Sequence, residues 1–478
     1  MRNVIVGSAL LTGLASCSQP GEKQEQICPN IILVYLDDMG YGDMGRTGAL
    51  GFTTPHLDQM ANEGLSFTHF YSPQAVCSAS RAGLLTGCYP NRLGIAWAFD
   101  HTSLTGLNPE EMTIASMLKQ KDYATAVYGK WHLGHHKDFL PLNHGFDEFY
   151  GIPYSNDMWP FHPGTPNYYP PLPLFEGDSV IETNPNQADF TRDFTLRAID
   201  FIKRQRKKPF FVYLAHPMPH VPLFVSEDFE GKSEQGLYGD VMMELDWSVG
   251  SILQTLKDLK LEKNTLVIIT SDNGPWLNYG NHSGSSGGLR EGKGTTFEGG
   301  QRVPAIFWWP GTIEPGKVCN RLAAGIDVLP TIAEITGADL PRKKIDGVSL
   351  LPLLKGDFEA NPRKEFLYYY RQNSLQAVRS GSWKLVFEHP GRTYKGFLPG
   401  DDGIPGSANE NFLFPKALYD LRRDPAEAYD VLAKYPEIAE ELERIAEKAR
   451  LDLGDDLKNV PGQNRREPGR VEHNPVYW

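Results

Sequence analysis

The chain has 478 residues and a formal net charge of −12 at pH 7. Nucleic-acid-binding proteins usually carry a basic face, so this acidic balance argues against nucleic acid as a partner and means that an anionic substrate needs a local cluster of positive charge. Hydrophobic residues make up 40% of the chain, which is typical of a globular α/β protein, and the length favours a large and a small domain, because single cores stop growing at roughly 250–300 residues.

The first 17 residues have the layout of an export signal. Arg2 precedes an apolar run, and small residues lead to Cys17 in "LASC". This order predicts a secretory signal, and its ending resembles the bacterial lipobox, in which the cysteine is lipidated; an ordinary signal peptide with a chance cysteine is the alternative. Both interpretations predict export, to the periplasm or as an outer-membrane lipoprotein of a bacterium. Residues 18–27 are then predicted to form a short polar tether, and no later segment reaches the roughly 18 apolar residues of a membrane span.

Four apolar, β-branched runs each end in polar residues. They are "NIILVYLDDMG" (30–40) with Asp37 and Asp38, "YATAVYGKWHLG" (123–134) with Lys130 and His132, "PFFVYLAHPMPH" (209–220) with His216 and His220, and "TLVIITSDNG" (265–274) with Asp272 and Asn273. Near-continuous apolar runs predict strands of a parallel sheet that is covered on both faces. Because ligands bind beyond the carboxyl ends of such strands, we expect these polar residues to meet in one site.

The rest of the chain predicts helices and, in its C-terminal part, a different hydrophobic pattern. Residues 110–121 and 238–259 place apolar side chains three and four apart, as amphipathic crossover helices do. After about residue 360 the stretch "EFLYYYRQNSLQAVRSGSWKLVFE" alternates like an antiparallel hairpin, and residues 436–451 predict an amphipathic helix. We therefore expect a catalytic domain over 28–360 and a smaller antiparallel α+β subdomain over 361–478.

The two acidic strand ends predict a metal site. Asp37, Asp38, Asp272 and Asn273 offer only oxygen ligands, which suits Ca²⁺ or Mg²⁺. Zinc would more often recruit histidine or cysteine, and would indicate a phosphatase-like site. For either pair alone, helix capping or turn formation is the alternative.

The stretch "AVCSASRAGLLTG" (75–87) places Cys77 just ahead of Arg81, at the predicted first turn of a helix. A free cysteine is most often a small buried hydrophobe, and a reactive group in an electropositive niche is the alternative. A thiolate is a poor ligand for an oxygen-preferring ion, so a Cys77 among these carboxylates is not expected to act as sulfur. Cys28, Cys88 and Cys319 allow disulfides, but the sequence specifies no pairing.

This stretch resembles the signature of the type I sulfatases, whose cysteine is oxidised to formylglycine. The usual form is Cys-x-Pro-x-Arg with a Leu-Thr-Gly ending; here Ala79 replaces the proline, which resembles the variant that oxygen-independent radical maturases process in bacteria. The resemblance spans roughly residues 29–450 and includes "DDMGYGD", "GKWHLG", "HGFDEFYGIPYS", "HPMPHVP", "SDNG" and "REGKGTTFEGGQRVP". It implies an alkaline-phosphatase-like α/β sandwich with a large mixed, mostly parallel sheet, and the hydrolysis of sulfate monoesters.

The resemblance also implies a role for each basic residue. Arg81 and Lys130 would hold the formylglycine hydrate and the sulfate oxygens, and His132 would assist proton removal from the diol. His220 and Lys293 would face the scissile oxygen and neutralise charge on the leaving alcohol. Asp37, Asp38, residue 77, Asp272 and Asn273 would bind the cation, Ca²⁺ with Mg²⁺ as the alternative, and a sulfatase-maturing enzyme would be a required partner.

Without the resemblance, three of these basic residues have a plainer interpretation. Lys293 lies in a Gly-rich loop where it would be one solvated charge, Arg81 would be a charge on a helix face, and His132 would be a satisfied core histidine. His216 is a rival to His220 for the same role.

Two loops, residues 96–108 and 153–177, are rich in aromatic residues, histidine and proline, and loops of this kind usually carry specificity. Trp97, His101, Trp159 and His162 are candidates to contact a sugar, with loop packing as the alternative. The sequence around "HGFDEFYGIPYS" resembles the arylsulfatase A and N-acetylgalactosamine-6-sulfatase branch of the family. This resemblance implies an exo-acting carbohydrate sulfatase whose substrates are sulfated galactose or N-acetylgalactosamine. A broad arylsulfatase, a formylglycine-dependent phosphonate or phosphodiester hydrolase, and a glycan-binding protein with an unmodified Cys77 are the alternatives.

Overall fold

The computed structural model describes Met1 and residues 28–473. Apart from Met1, the predicted export signal over residues 1–17 and the predicted tether over residues 18–27 lie outside these described residues. Within them, no helix has both the length and the apolar character that crossing a bilayer requires.

The strands are numbered here in chain order. They are β1 (Asn30–Leu36), β2 (Leu65–Tyr71), β3 (Thr105–Gly106), β4 (Ala124–Lys130), β5 (Glu148–Ile152), β6 (Pro173–Glu176), β7 (Ser179–Thr183), β8 (Phe210–Ala215), β9 (Thr265–Ser271), β10 (Arg302–Trp308), β11 (Lys317–Cys319), β12 (Ala323–Ala324), β13 (Glu365–Tyr370), β14 (Ser374–Ser380), β15 (Trp383–Val386), β16 (His389–Thr393), β17 (Asn409–Phe414), β18 (Ala417–Asp420) and β19 (Gly469–Arg470).

The α-helices follow the same convention. They are α1 (Pro55–Glu63), α2 (Cys77–Thr86), α3 (Ile114–Leu118), α4 (Phe190–Gln205), α5 (Leu237–Asp258), α6 (Glu298–Gln301), α7 (Val328–Thr336), α8 (Leu351–Leu354) and α9 (Pro436–Leu453). The predicted helix over 110–121 is shorter than expected. Thr113 caps α3 by accepting a hydrogen bond from the Ser116 N–H at 3.1 Å, and a 3₁₀ turn over Lys119–Lys121 replaces the last turn.

The large sheet has the strand order β11-β2-β10-β9-β1-β8-β4-β5-β6-β7, with β12 also paired to β2. Its central run β9-β1-β8-β4-β5 is parallel, and antiparallel pairings flank it at β10 and β6. This confirms the expected mixed, mostly parallel sheet. Its four predicted central strands, β1, β4, β8 and β9, are neighbours, as the polar strand ends require.

Both faces of this sheet are covered, and β1 shows why its sequence is apolar throughout. Ile31 and Leu33 belong to the core that contains α2, α3 and α7, whereas Ile32 and Val34 belong to the core that contains α1, α4 and α5. Successive side chains of a strand point to opposite faces, so each face of β1 needs apolar residues. Complete burial of one such side chain contributes roughly 1.5–3 kcal/mol.

The C-terminal part forms a separate antiparallel layer, as predicted. β13, β14, β15 and β18 pair in that order, and α9 packs on them through residues such as Leu442 and Ala446. β16 and β17 form a hairpin, and β19 pairs with β3. The change in hydrophobic pattern near residue 360 falls between α8 and β13. The domain boundaries themselves remain a prediction.

Candidate active site

The two acidic strand ends meet because β1 and β9 are paired in register, Leu36 opposite Ser271. The Asp272 N–H donates to the Leu36 carbonyl at 3.1 Å and so extends the pairing by one residue. The Asp38 N–H donates to Asp272 Oδ1 at 3.1 Å, and Asn273 Nδ2 donates to Asp38 Oδ1 at 2.7 Å. These side chains are almost completely buried, so the predicted convergence is present.

Residue 77 lies against this acidic pair at the start of α2. Cys77 Sγ is 3.5 Å from Asp37 Oδ1 and 3.6 Å from Lys293 Nζ, and the residue is 2% exposed. Burial, and then the nearby Asp37 carboxylate, raise the pKa of the thiol far above its usual range. Because the thiolate is the reactive form of cysteine, the unmodified thiol at this position is a weak nucleophile.

Three buried cations face the three carboxylates. Arg81 donates to Asp272 Oδ2 through Nη2 at 2.9 Å, Lys130 Nζ contacts Asp37, and Lys293 Nζ is 2.9 Å from Asp38 Oδ2. Arg81 Nη2 also lies 3.3 Å from Asp37 Oδ2, so the three cations together balance the three carboxylates. The formal charges therefore cancel, and a divalent cation added here makes the site positive, which suits an anionic sulfate ester.

The pKa values of these groups follow from burial and from their partners. Burial alone would lower the pKa of Lys293, but the Asp38 carboxylate raises it well above its usual value. Burial would raise the pKa of Asp37, but Lys130 holds it well below its usual value. Burial, and then the charge on Asp37, raise the pKa of Asp272 to about 7.

Two histidines complete the site. His132 Nε2 donates to the Phe99 carbonyl at 2.7 Å, and its Nδ1 is buried with no hydrogen-bond partner among residues 28–473. His220 Nε2 is 3.7 Å from Asp38 Oδ2. Burial, together with Lys130 for His132 and Lys293 for His220, lowers the pKa of both rings, which are therefore neutral at pH 7. His216, the rival candidate, instead contacts Ser248 of α5 at 3.0 Å.

The acidic cluster fits a divalent cation. Asp37, Asp38, Cys77 and His220 each place one ligand atom within 4.8 Å of the others. Asn273 Oδ1 is buried and has no hydrogen-bond partner within the described chain, a state that buried polar atoms rarely keep unless they bind a water or an ion. His220 was not predicted as a ligand; Asp272, which was, directs its oxygens to Arg81 and to the Asp38 N–H.

A cavity of about 220 Å³ opens onto this cluster. It is lined by Val76, Cys77, Trp97, Ala98, His132, Ser155, Asp157, Met158, His220, Trp276, Lys293, Tyr370 and Arg392. Ser155 also accepts a hydrogen bond from Lys130 Nζ at 2.9 Å. The sequence analysis did not predict four of these residues, Ser155, Trp276, Tyr370 and Arg392. Ser155 is the last residue of the motif "HGFDEFYGIPYS", and Trp276 follows the motif "SDNG" by two residues. Tyr370 and Arg392 lie in the C-terminal part, where no local pattern indicates a role in the site.

Of the four predicted sugar contacts, Trp97 lines this cavity and the other three do not. The His101 ring packs edge-on against Tyr169 at 5.3 Å, Trp159 packs against Phe224 at 5.5 Å, and His162 lies 5.9 Å from Tyr169. These contacts match the alternative of loop packing, and a role for His101, Trp159 and His162 in substrate binding remains a prediction.

The chain is similar to known proteins along most of its length. The family model described as sulfatase matches residues 29–338, and the one described as the C-terminal region of aryl-sulfatase matches residues 362–468. Arylsulfatase A of Bos taurus is 40% identical over 453 residues, covering 91% of this chain and 87% of that protein. N-acetylgalactosamine-6-sulfatase of Canis lupus familiaris is 37% identical over 475 residues, covering 93% and 88%. The crystal structure of the PsFucS1 sulfatase from Pseudoalteromonas sp. has a TM-score of 0.80 and 27% identity, and covers 92% of both chains.

Proposed function

Because this chain belongs to the sulfatase family and is a sulfuric ester hydrolase, we propose that it removes sulfate from the terminal sugar of sulfated saccharides, using a formylglycine made from Cys77. Galactose and N-acetylgalactosamine sulfates are the proposed substrates. The similarity to N-acetylgalactosamine-6-sulfatase supports this choice. So does the small cavity, because about 220 Å³ is below the range of roughly 300–1,000 Å³ typical of drug-sized ligands and suits one sugar.

The position of residue 77 is the main observation that supports this proposal. Its Sγ lies between a carboxylate and an ammonium group, both buried, in a setting that keeps the thiol protonated. A formylglycine hydrate at this position would supply one hydroxyl for attack on sulfur and a second whose deprotonation lets the sulfate leave. Arg81, one helical turn further along α2, would orient this residue and the sulfate together with Lys130.

The neighbouring side chains divide the proton transfers between them. His132 is neutral and its buried Nδ1 is free to accept a proton from residue 77. Lys293 keeps its charge and would stabilise or protonate the leaving oxygen, with His220 beside it. Asp37, Asp38, Asp272 and Asn273 would hold Ca²⁺ or Mg²⁺, which would polarise a sulfate oxygen.

The test compares protein made with and without a sulfatase-maturing enzyme. In the matured protein, we expect the peptide that contains residue 77 to be about 18 Da lighter than its cysteine form, because the thiol is oxidised to an aldehyde. We expect this protein to hydrolyse nitrophenyl sulfate and 6-sulfated N-acetylgalactosamine. Cys77→Ala should be inactive, whereas Cys88→Ala, which changes a buried cysteine outside the cavity, should remain active.

Three results would contradict the proposal. Full activity with an unmodified thiol would exclude formylglycine, and faster hydrolysis of nitrophenyl phosphodiesters would favour the phosphodiesterase alternative. Saccharide binding without any hydrolysis by matured protein would favour a glycan-binding protein.

The same proposal includes an exported location and a radical-type maturing enzyme as partner. Fractionation of the producing cell and labelling with a lipid precursor would test the lipoprotein form. We expect the wild type to incorporate the label and Cys17→Ala not to. Incorporation of the label by Cys17→Ala would contradict lipidation at that residue.

A further inference from the structure

The C-terminal hairpin contributes a cationic side chain to the wall of the catalytic cavity. Arg392 belongs to β16 and lines the same cavity as Cys77 and Lys293. The pairing of β16 with β17 is irregular between Gly391 and Thr393, so Arg392 falls at a bulge. Bulges next to active sites commonly redirect a side chain, and here the redirected side chain is an arginine.

The contacts of Arg392 hold its guanidinium beside the catalytic loop. Nε donates to Glu410 Oε1 at 2.8 Å, and Nη1 donates to Tyr394 Oη at 3.3 Å. Tyr394 Oη donates in turn to the Lys293 carbonyl at 2.7 Å. A Cβ added to Gly294 would lie 3.0 Å from Nη1, so the guanidinium packs against the backbone that follows Lys293.

The local charges leave Arg392 available to an anion. Its side chain is 20% exposed, whereas its partner Glu410 is 51% exposed, and a carboxylate so open to solvent offsets a positive charge only weakly. Asp157 is the one carboxylate among the described residues that line the cavity. The planar fork of an arginine matches the oxygens of a sulfate or carboxylate group.

Arg392 is separate from the machinery around residue 77. Arg81, Lys130 and Lys293 contact the carboxylates beside Cys77, whereas Arg392 bonds to Glu410 and Tyr394 and packs against Gly294. We infer that Arg392 forms a second anion subsite, which binds another anionic group, a second sulfate or a uronate carboxylate, on the saccharide whose sulfate is cleaved. This inference rests on the proposed function.

The test uses substrates with the same scissile sulfate and a different second group: none, a second sulfate, or a uronate carboxylate. We expect the wild-type kcat/KM to be higher for one doubly anionic substrate, and the arm that shows this identifies the group. For each protein we take the ratio of kcat/KM for the preferred doubly anionic substrate to kcat/KM for nitrophenyl sulfate. We expect this ratio to be at least about tenfold lower in Arg392→Gln than in the wild type, because one charge-assisted hydrogen bond is lost. The change should come mainly from a higher KM. Arg392→Lys should recover part of the ratio.

Arg371→Gln is the matched control. Arg371 also pairs with Glu410, at 3.6 Å, but does not line the cavity, and its substitution should leave the ratio unchanged. An equal loss for all substrates in Arg392→Gln, the same loss in Arg371→Gln, or no wild-type preference for a second anion would overturn the inference.

A binding measurement separates this inference from the proposed function. Unmatured protein with Cys77 intact can be titrated with the disulfated and monosulfated saccharides by calorimetry, with no turnover required. The subsite is supported if Arg392→Gln binds the disulfated saccharide at least about tenfold more weakly than the wild type does, and binds the monosulfated saccharide equally well. This conclusion holds even if matured protein does not cleave the saccharide. Turnover of nitrophenyl sulfate without any Arg392-dependent binding overturns the subsite and leaves the sulfatase chemistry standing.

Discussion

Asn273 is the predicted cation ligand whose side-chain oxygen can be tested most directly. Its Oδ1 is buried without a partner, beside carboxylates whose charge is already balanced by Arg81, Lys130 and Lys293. We expect Ca²⁺ to raise the melting temperature of chelator-treated wild-type protein, because a ligand at about 100 times its Kd stabilises the folded state by about 2.7 kcal/mol. Asn273→Ala should need at least about tenfold more Ca²⁺ for the same rise, measured by thermal unfolding across a calcium titration.

Asn320→Ala is the control for this prediction, since Asn320 is an exposed amide outside the site. It should respond to Ca²⁺ as the wild type does. An Asn273→Ala protein with an unchanged calcium response would show that this amide oxygen does not bind the ion.

Helix α1 is an element whose start is stabilised from elsewhere in the chain. Its N-cap residue Thr54 makes no side-chain cap, and Asp246 of α5 accepts hydrogen bonds from the Leu57 and His56 N–H groups at 2.8 and 3.2 Å. Burial raises the pKa of Asp246 from 3.8 to about 6. The folded state therefore binds this proton more tightly than the unfolded state, so the stability that protonation provides is complete below about pH 3.8 and is lost as the pH rises through 6.

We expect the free energy of unfolding of the wild type, taken relative to that of Asp246→Asn, to fall by about 1–2 kcal/mol between pH 5 and pH 7.5, since one pKa unit is worth about 1.4 kcal/mol. Urea unfolding of both proteins at several pH values measures this difference. Asp258→Asn is an exposed change at the C-terminal end of α5, and the free energy of unfolding of the wild type relative to this variant should not change with pH. A relative stability of the wild type that rises over this interval would contradict the assigned direction of the pKa shift.

At the scale of the whole molecule, a buried charge cluster connects the C-terminal sheet to the catalytic part. Lys384 of β15 donates to the Thr296 carbonyl at 2.8 Å, and it pairs with Glu298 of α6 at 3.2 Å and with Glu427 at 2.8 Å. All three charged side chains are buried. Lys384→Met leaves two buried carboxylates without this cation, and removal of one partner from a buried ion pair costs roughly 3–5 kcal/mol.

We expect Lys384→Met to lower the free energy of unfolding by that amount in guanidinium titrations, and Lys395→Met, an exposed change in the same subdomain, to leave it nearly unchanged. Since Thr296 and Glu298 follow Lys293 closely in the chain, Lys384→Met should also raise KM for nitrophenyl sulfate. A variant as stable as the wild type would show that the C-terminal sheet does not depend on this cluster.

The parts of the site that could be predicted are those with a local pattern. Asp37, Asp38, Asp272 and Asn273 directly follow apolar runs, and parallel strands in register bring such positions to one edge whatever the loops do. Cys77 and Arg81 lie one turn apart on one helix. Arg392, Asp246 and Lys384 could not be assigned in this way, because each acts on residues about 90 to 190 positions away in the chain.

The sequence by itself determined the central parallel strands, the acidic strand ends, the start of α2 at Cys77 and the antiparallel C-terminal layer, because hydrophobic periodicity and strand pairing are properties of short segments. Only the tertiary structure decided that His220 rather than His216 faces the carboxylates, and that a C-terminal arginine joins the cavity wall. It also decided that Trp97 lines the cavity while His101, Trp159 and His162 pack against other aromatic side chains. The direction of a side chain beyond a strand end depends on which distant segments pack against it, and no short stretch of sequence contains that information.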